Sequence, residues 1–447
     1  MAEVSVEELR GALGSPDDGE LATLVSRLHP ADLADLLEQL DEEDRVRVFR
    51  LLPAAVASET LTELPGDERG EILERVDPGQ VREIFTQLAA DDAADILGEL
   101  DRSEAAQILE GMAPEDSREV AALLAYDEES AGGVMTPQVV AVRETAAAHE
   151  AIEEIRRQGQ DVGEVMTVFV VDDERRLTGS LPLSRLIVAP EHARVADVME
   201  RDLVSVRPDT DQEEVARIIA RYNLVVLPVT DAFGHLLGQV TVDDVIDILE
   251  AEATEDLFKI GGVDQAEEAH AGALQIVRSR LPWLAVTLLT SFGGAAVVAA
   301  FRGTIERLSV ITIFMPVVAA MAGNSAIQSV TVTVRRLALA GAGAGGAWRH
   351  VRREVAGGVL IGFVIAGVLG AVAALWQGSL ELGLVVAAAM WVSISLGVLW
   401  GALFPILLDR VGVDPAVASS VFLTTLTDMV SFLLVLGLAA ALLRTLA

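Results

Sequence analysis

Val421–Leu436 reads VFLTTLTDMVSFLLVL, apolar enough for a membrane-crossing helix, yet it holds a carboxylate, Asp428. Working outward, four more stretches reach the ~20 apolar residues a bilayer crossing takes: Leu281–Phe301, Leu308–Val334, Val355–Gln377 and Leu382–Leu408. Extended to Leu443, the last is the one span expected to carry a charge. Asp428 lies seven residues into it, ~10 Å along a helix axis. There a carboxylate costs ~2.5–3.5 kcal/mol even on insertion scales. At helical spacing Ser420, Thr424, Thr427, Asp428 and Ser431 share a face. That stripe suits a water-lined path; a helix-packing stripe with a protonated aspartate is the alternative.

The second span, FMPVVAAMAGNSAIQSVTVTVRR (314–336), places Asn324, Gln328, Thr331 and Arg335 on one face. Pro316 is expected to kink it, and Gly323 permits close helix approach. Amide, hydroxyl and carboxylate oxygens are hard ligands, suited to Mg²⁺, Ca²⁺ or Mn²⁺. Interhelical hydrogen bonding is again the alternative.

Charge divides the 447 residues in two. From Ala271 onward six acids stand against eleven arginines, a net of +5, so the first 270 residues carry −40 of the total −35. Two or more domains are implied. With no cysteine, disulfides and thiolate metal sites are excluded, and the N-terminus does not read as a signal peptide. Arg335, Arg336, Arg349, Arg352 and Arg353 crowd the loop Arg335–Arg353, which is therefore expected in the cytoplasm. Five spans then put the acidic half in the cytoplasm and the C-terminus outside.

Residues 29–124 repeat with a period of twelve, from HPADLADLLEQL (29–40) to APEDSREVAALL (113–124). Position 12 is Leu, Val or Met in all eight units, positions 8 and 9 are nearly always apolar, and Pro or Asp opens most units. Each unit predicts one helix of two turns, too short to stand alone, and stacking them predicts a right-handed α-superhelix with carboxylates outside.

From Val134 to Ala253 a plan of V-M, strand, helix, apolar strand and Gly-containing strand–helix occurs twice. It resembles a tandem pair of CBS domains. The nucleotide motif of that family, G-x-x-T-x-x-D, is matched by Gly238, Thr241 and Asp244, whereas the first copy has Gly179, Pro182 and Arg185. A helix cap at Thr241 with an acidic first turn is the plainer reading. The following DDVIDILEAEATEDLFKIGG (243–262) predicts a helix so acidic that like charges three or four apart repel unless a cation sits beside them.

Order and motifs together resemble the MgtE family of Mg²⁺ transporters and channels. The second-span motif stands here as Gly323-Asn324-Ser325-Ala326-Ile327-Gln328, and the last-span motif as Asp414-Pro415-Ala416, Ser419, Thr425 and Asp428. Ala326 and Ser431 replace family glycines, and Ser420–Val421 replaces a proline. The resemblance implies a multidomain membrane protein: an α-helical superhelical N-domain (1–130), α/β tandem CBS domains (131–253), an acidic connecting helix (242–270) and a five-helix α transmembrane domain (271–447). It implies a homodimer in the bacterial inner membrane and no enzyme activity. Its pore would be lined by Asp428, Asn324, Gln328, Thr424, Thr425 and Gly323. Regulatory Mg²⁺ would be held by Asp91, Asp95, Asp211, Glu213, Asp244, Asp247, Glu252, Glu255 and Asp256, with Asn223 standing where an acid is usual. ATP at Gly238, Thr241 and Asp244 is a second implied ligand; membrane lipid is expected around the spans, and nucleic acid is not expected as a partner. A CBS-regulated anion channel and a non-conducting divalent-cation sensor are the other classes.

Overall fold

Each twelve-residue unit forms one helix: α3 Pro30–Glu38, α4 Glu42–Phe49, α5 Ala54–Glu63, α6 Gly66–Arg75, α7 Pro78–Gln87, α8 Ala90–Glu99, α9 Arg102–Gly111 and α10 Asp116–Leu123, preceded by α1 Val6–Leu13 and α2 Asp18–Val25. The computed structural model describes residues 6–14, 18–159, 165–261, 263, 273–340, 346–416 and 421–446. The unit openings start the helices as their chemistry requires. Asp41 and Asp77 accept hydrogen bonds from the backbone N–H of Asp44 (3.0 Å) and Gly79 (2.9 Å), and Pro30 and Pro78 fill the first turn. Each helix rests on the one two units along: α3 on α5, α5 on α7 and α7 on α9 in one row, α4 on α6, α6 on α8 and α8 on α10 in the other. Positions 8 and 9 face inward, as at Leu36 and Leu37, Ile84 and Phe85, and Ile96 and Leu97. A buried Arg45 ties α4 to α6, donating to the Leu37 carbonyl (3.1 Å) and to Glu71 (2.8 Å).

In the first CBS copy β1 (Ala141–Arg143) runs parallel to β2 (Thr167–Val171), which pairs antiparallel with β3 (Leu177–Pro182). Helices α11 (Ala148–Gln158) and α12 (Leu183–Val188) complete it, and α13 (Val195–Val198) leads into the second copy. There α14 (Gln212–Tyr222) precedes an antiparallel pair, β4 (Val226–Thr230) with β5 (Leu236–Thr241). The strand equivalent to β1 is reduced to a single parallel bridge, Val206 to Val229. Asn223 closes α14 at φ +52°, a left-handed position that asparagine tolerates better than most residues. One core runs from the helical repeat into the second copy, through Leu123, Met135, Val215, Val240 and Ile248, while the first copy has its own around Val168, Val170 and Leu186.

The chain divides into two compact units, Met1–Ile248 and Leu249–Ala447, with α15 (Val242–Gly261) running through the boundary. The second unit holds α16 (Ala273–Ala300), α17 (Arg302–Arg307), a 3₁₀ turn at Ser309–Ile313, α18 (Met315–Ala340), α19 (Ala347–Gln377), α20 (Leu380–Arg410) and α21 (Val421–Leu446). Five of these segments are long and apolar enough to cross a membrane. α20 is central, packed against α18, α19 and α21, and α16 lies on α21. Small residues let α19 and α20 touch along their backbones: a Cβ on Gly383 would stand 2.6 Å from the Gly370 carbonyl oxygen.

Three expectations change. Pro316 sits in the first turn of α18, where its missing N–H has no helical partner to lose, so it starts the helix and does not kink it. The basic loop is mostly helix, with Arg335 and Arg336 on α18 and Arg349, Arg352 and Arg353 on α19. Hydropathy falls where arginines begin, but a helix that satisfies its own backbone continues past that point. This brings a carboxylate, Glu354, into the third span, where it accepts from Ser329 of α18 (3.3 Å).

Candidate ion pathway and ion-sensing site

On α18, Ala322, Ala326 and Val330 are buried while Asn324, Gln328, Thr331 and Arg335 are exposed. The helix thus presents an amide-and-hydroxyl face away from its own chain. α21 packs beside it, with Gly323 opposite Thr427 at ordinary contact distance (3.8 Å from an added Cβ). Asp428 is half-buried and Thr424 exposed, but the stripe read on α21 divides. Thr427 and Ser431 are buried within the chain. Thr425 shares a hydrogen bond with Thr290 of α16 (2.8 Å). Ser419 and Ser420 lie outside the described residues. A periodicity wheel gives a face, but not which neighbour that face meets.

The cytoplasmic unit contains a seam of carboxylates. The repeat turns Ala90, Ala93 and Ala94 of α8 inward and leaves Asp91, Asp92 and Asp95 on its other side. Asp91 and Asp92 belong to the first turn, where the helix dipole favours anions. Asp243, Asp244 and Asp247 of α15 face this turn closely enough to act on it electrostatically. Burial pushes the Asp91 carboxyl up to about 7, with Asp92 and Asp244 adding to the rise. Burial likewise raises Asp92 to about 6, helped by Asp244 and opposed by Arg69. Asp244 is raised by burial, although Thr241 opposes this by donating from its hydroxyl (2.5 Å) and backbone N–H (3.2 Å). One Asp91 oxygen is buried without a hydrogen-bond partner among the described residues.

These groups fit a divalent cation held through its water shell. Among the described residues no three acidic or histidine side chains converge to clamp a bare ion. Mg²⁺ keeps several waters and needs one or two carboxylates. Asp92 belongs to the seam and was not read from the sequence, and Asp243 was read only as part of the acidic first turn of its helix; the doublets Asp91-Asp92 and Asp243-Asp244 were the available signal.

The remaining acids are placed differently. Asp211 caps α14, accepting from the Glu213 N–H (2.9 Å), and Glu213 pairs with Arg217 (3.4 Å). Glu252 is half-buried on α15. Glu255 and Asp256, further along that helix, meet Lys259 and the Asp414 loop of the second unit. In the nucleotide motif Gly238 lies against Thr136, whose carbonyl oxygen would be 2.6 Å from an added Cβ. In the first copy Arg185 is engaged by Glu200 (2.8 Å).

The intracellular N domain of MgtE matches residues 28–129, the CBS domain 131–192 and 195–251, and the divalent cation transporter family MgtE 315–438. The magnesium transporter MgtE of Thermus thermophilus is 38% identical over 99% of this chain and 100% of its own length. The chain belongs to the MgtE family. An MgtE from Enterococcus faecalis, also a magnesium transporter, is 36% identical over 72% of this chain and 71% of its own. A crystal structure of the cytosolic domain of the Mg²⁺ channel MgtE in complex with ATP superposes with a TM-score of 0.53 at 42% identity, covering 55% of this chain and all of that one. The MgtE family is one of divalent cation transporters, not of enzymes.

The seam yields a pH prediction. A carboxyl whose pKa is higher in the folded state than in the unfolded chain binds a proton that the unfolded state has lost. Its contribution to stability therefore falls as pH rises from about 4, the unfolded value, towards the 6 to 7 of Asp92 and Asp91. Without divalent ions the melting temperature of the 1–262 segment should decline across that window. Mg²⁺ held at the seam would have to displace those protons, so its stabilising shift should be several degrees larger at pH 8 than at pH 6. An equal shift at both values would remove Asp91 and Asp92 from the ion site.

Proposed function

We propose that the chain is a Mg²⁺-selective homodimeric channel that admits divalent cations down the membrane potential and is closed by cytosolic Mg²⁺ at its acidic half. The observation that carries this is the exposed polar face of α18 beside Asp428 of α21. Lipid cannot satisfy amides and hydroxyls, so that face meets water or a second copy of itself. Two copies about one axis would line a pore with Asn324, Gln328, Thr424 and paired Asp428 carboxylates, which suit a cation that surrenders its hydration reluctantly. An anion pore would need basic groups or helix N-termini at this depth. Asp428 opposes that reading, and its place in a polar face opposes a non-conducting sensor.

Five spans, with the arginine-bearing ends of α18 and α19 in the cytoplasm, would put the C-terminus outside. ATP at Gly238, Thr241 and Asp244 is part of the same reading, supported by the ATP-bound relative. Asp244 would then answer to both nucleotide and cation. The absence of cysteine makes the axis directly testable. Thr424→Cys, on the exposed side of α21, should cross-link two subunits under mild oxidation, and Ser431→Cys, on its buried side, should not. Cross-linking at 431 in place of 424 would put the axis on another face.

A further inference from the structure

The chain uses arginine for every basic position but one: its single lysine is Lys259, in the last turn of α15. Its ammonium contacts Glu255 one turn back and Asp414 (2.6 Å) on the segment after α20. The Asp414 carboxylate is itself fixed, because its other oxygen accepts from the Ala416 N–H (2.7 Å). The next residue, Ile260, packs on an apolar cluster of Ala326, Val330 and Val334 from α18, Leu423 from α21, and Ala416. One charged and one apolar contact therefore hold the end of the acidic helix at the ends of the two helices assigned to the pore.

We infer that Lys259 is a built-in counter-ion, a positioning residue that holds the connecting helix at the inner mouth and sets how much divalent cation is needed to close it. Glu255, Asp256 and Asp414 would otherwise repel across this junction. Burial disfavours the Lys259 charge, but its bonds to Asp414 and Glu255 outweigh that and raise its pKa. Asp256, raised by burial and then by Asp414, faces the same point. A lysine ammonium is compact and hydrated, fit to sit between two carboxylates from different elements, whereas the guanidinium fork prefers one carboxylate end-on.

This inference rests on the gating reading above, so its test has an arm that involves no transport. In the full-length protein with divalent ions chelated, a zero-length carbodiimide should join Lys259 to Asp414. With one lysine in the chain, the linked peptide is unambiguous by mass spectrometry. Its absence overturns the contact whatever the channel does. In transport, Lys259→Gln should raise the internal Mg²⁺ needed for closure by about threefold or more, the scale of one partly exposed ion pair. Asp414→Asn should shift it the same way, the double variant should shift it no further than either single one, and Lys259→Arg, which keeps the charge but not the compact geometry, should recover only part of the wild-type value. Closure of Lys259→Gln at the wild-type concentration or a lower one would overturn the inference. Failure of the wild type to close at all would count against the gating reading, and the cross-link would still decide whether the lysine holds the helix.

Discussion

Replacing Asp428 by alanine is expected to abolish divalent-cation uptake while leaving the protein folded. A carboxylate in a membrane helix costs free energy, so its removal relieves the helix. What is lost is the charge that replaces part of the ion's hydration. A charge-assisted contact of ~2–3 kcal/mol corresponds to roughly a hundredfold in occupancy, and a symmetric pore loses two. Uptake of Mg²⁺ into cells that lack other Mg²⁺ importers should therefore fall to background in Asp428→Ala, with the elution volume in detergent unchanged. Asp428→Glu should retain part of the flux. Wild-type uptake by the alanine variant would end the pore assignment.

The second large effect concerns closure. In the seam, Asp244 presses on Asp91 and Asp92, and Asp247 on Asp92. A divalent ion among them replaces repulsion by attraction, which is the differential binding a two-state switch requires. Replacing Asp244 and Asp247 together by alanine leaves only Asp243 on the α15 side of the seam and weakens both the hold on an ion and the repulsion across it. Closure should then depend far less on the ion. The variant should stay open at internal Mg²⁺ at least about tenfold above the level that closes the wild type, a shift of ~1.4 kcal/mol. Mg²⁺ should also cease to protect its cytoplasmic half from protease. Closure indistinguishable from wild type would place the sensor elsewhere.

How much of this the sequence disclosed depended on the range of the signal. The helical repeat was legible almost to the residue, because position 12 and the Pro or Asp openings recur locally and each helix needs only its own twelve residues to be placed. The CBS pair was legible from its duplicated plan. Asn324 and Gln328 were put on one face, which the structure leaves exposed, since 3.6-residue periodicity suffices when a helix has one polar side. Thr427 and Ser431 were not separable from Thr424 by periodicity: all are small and polar, and which of them meets the chain interior or open space depends on neighbours far along the chain. The start of α19 was missed because hydropathy stops at arginines that the helix accommodates. Lys259 lay in plain view, but its partner Asp414 is remote in sequence, and no local pattern announces such a contact.

The stacking of every helix on the one two units along gives the cytoplasmic half a mechanical property that no single residue has. Asp91 and Asp92 of the seam sit on α8, which bears on α6 and α10 within one row. The helices of both rows share one core with the second CBS copy. A divalent ion drawn between α8 and α15 would therefore load that common core and not one helix alone, so strain at the seam would be shared along the whole repeat.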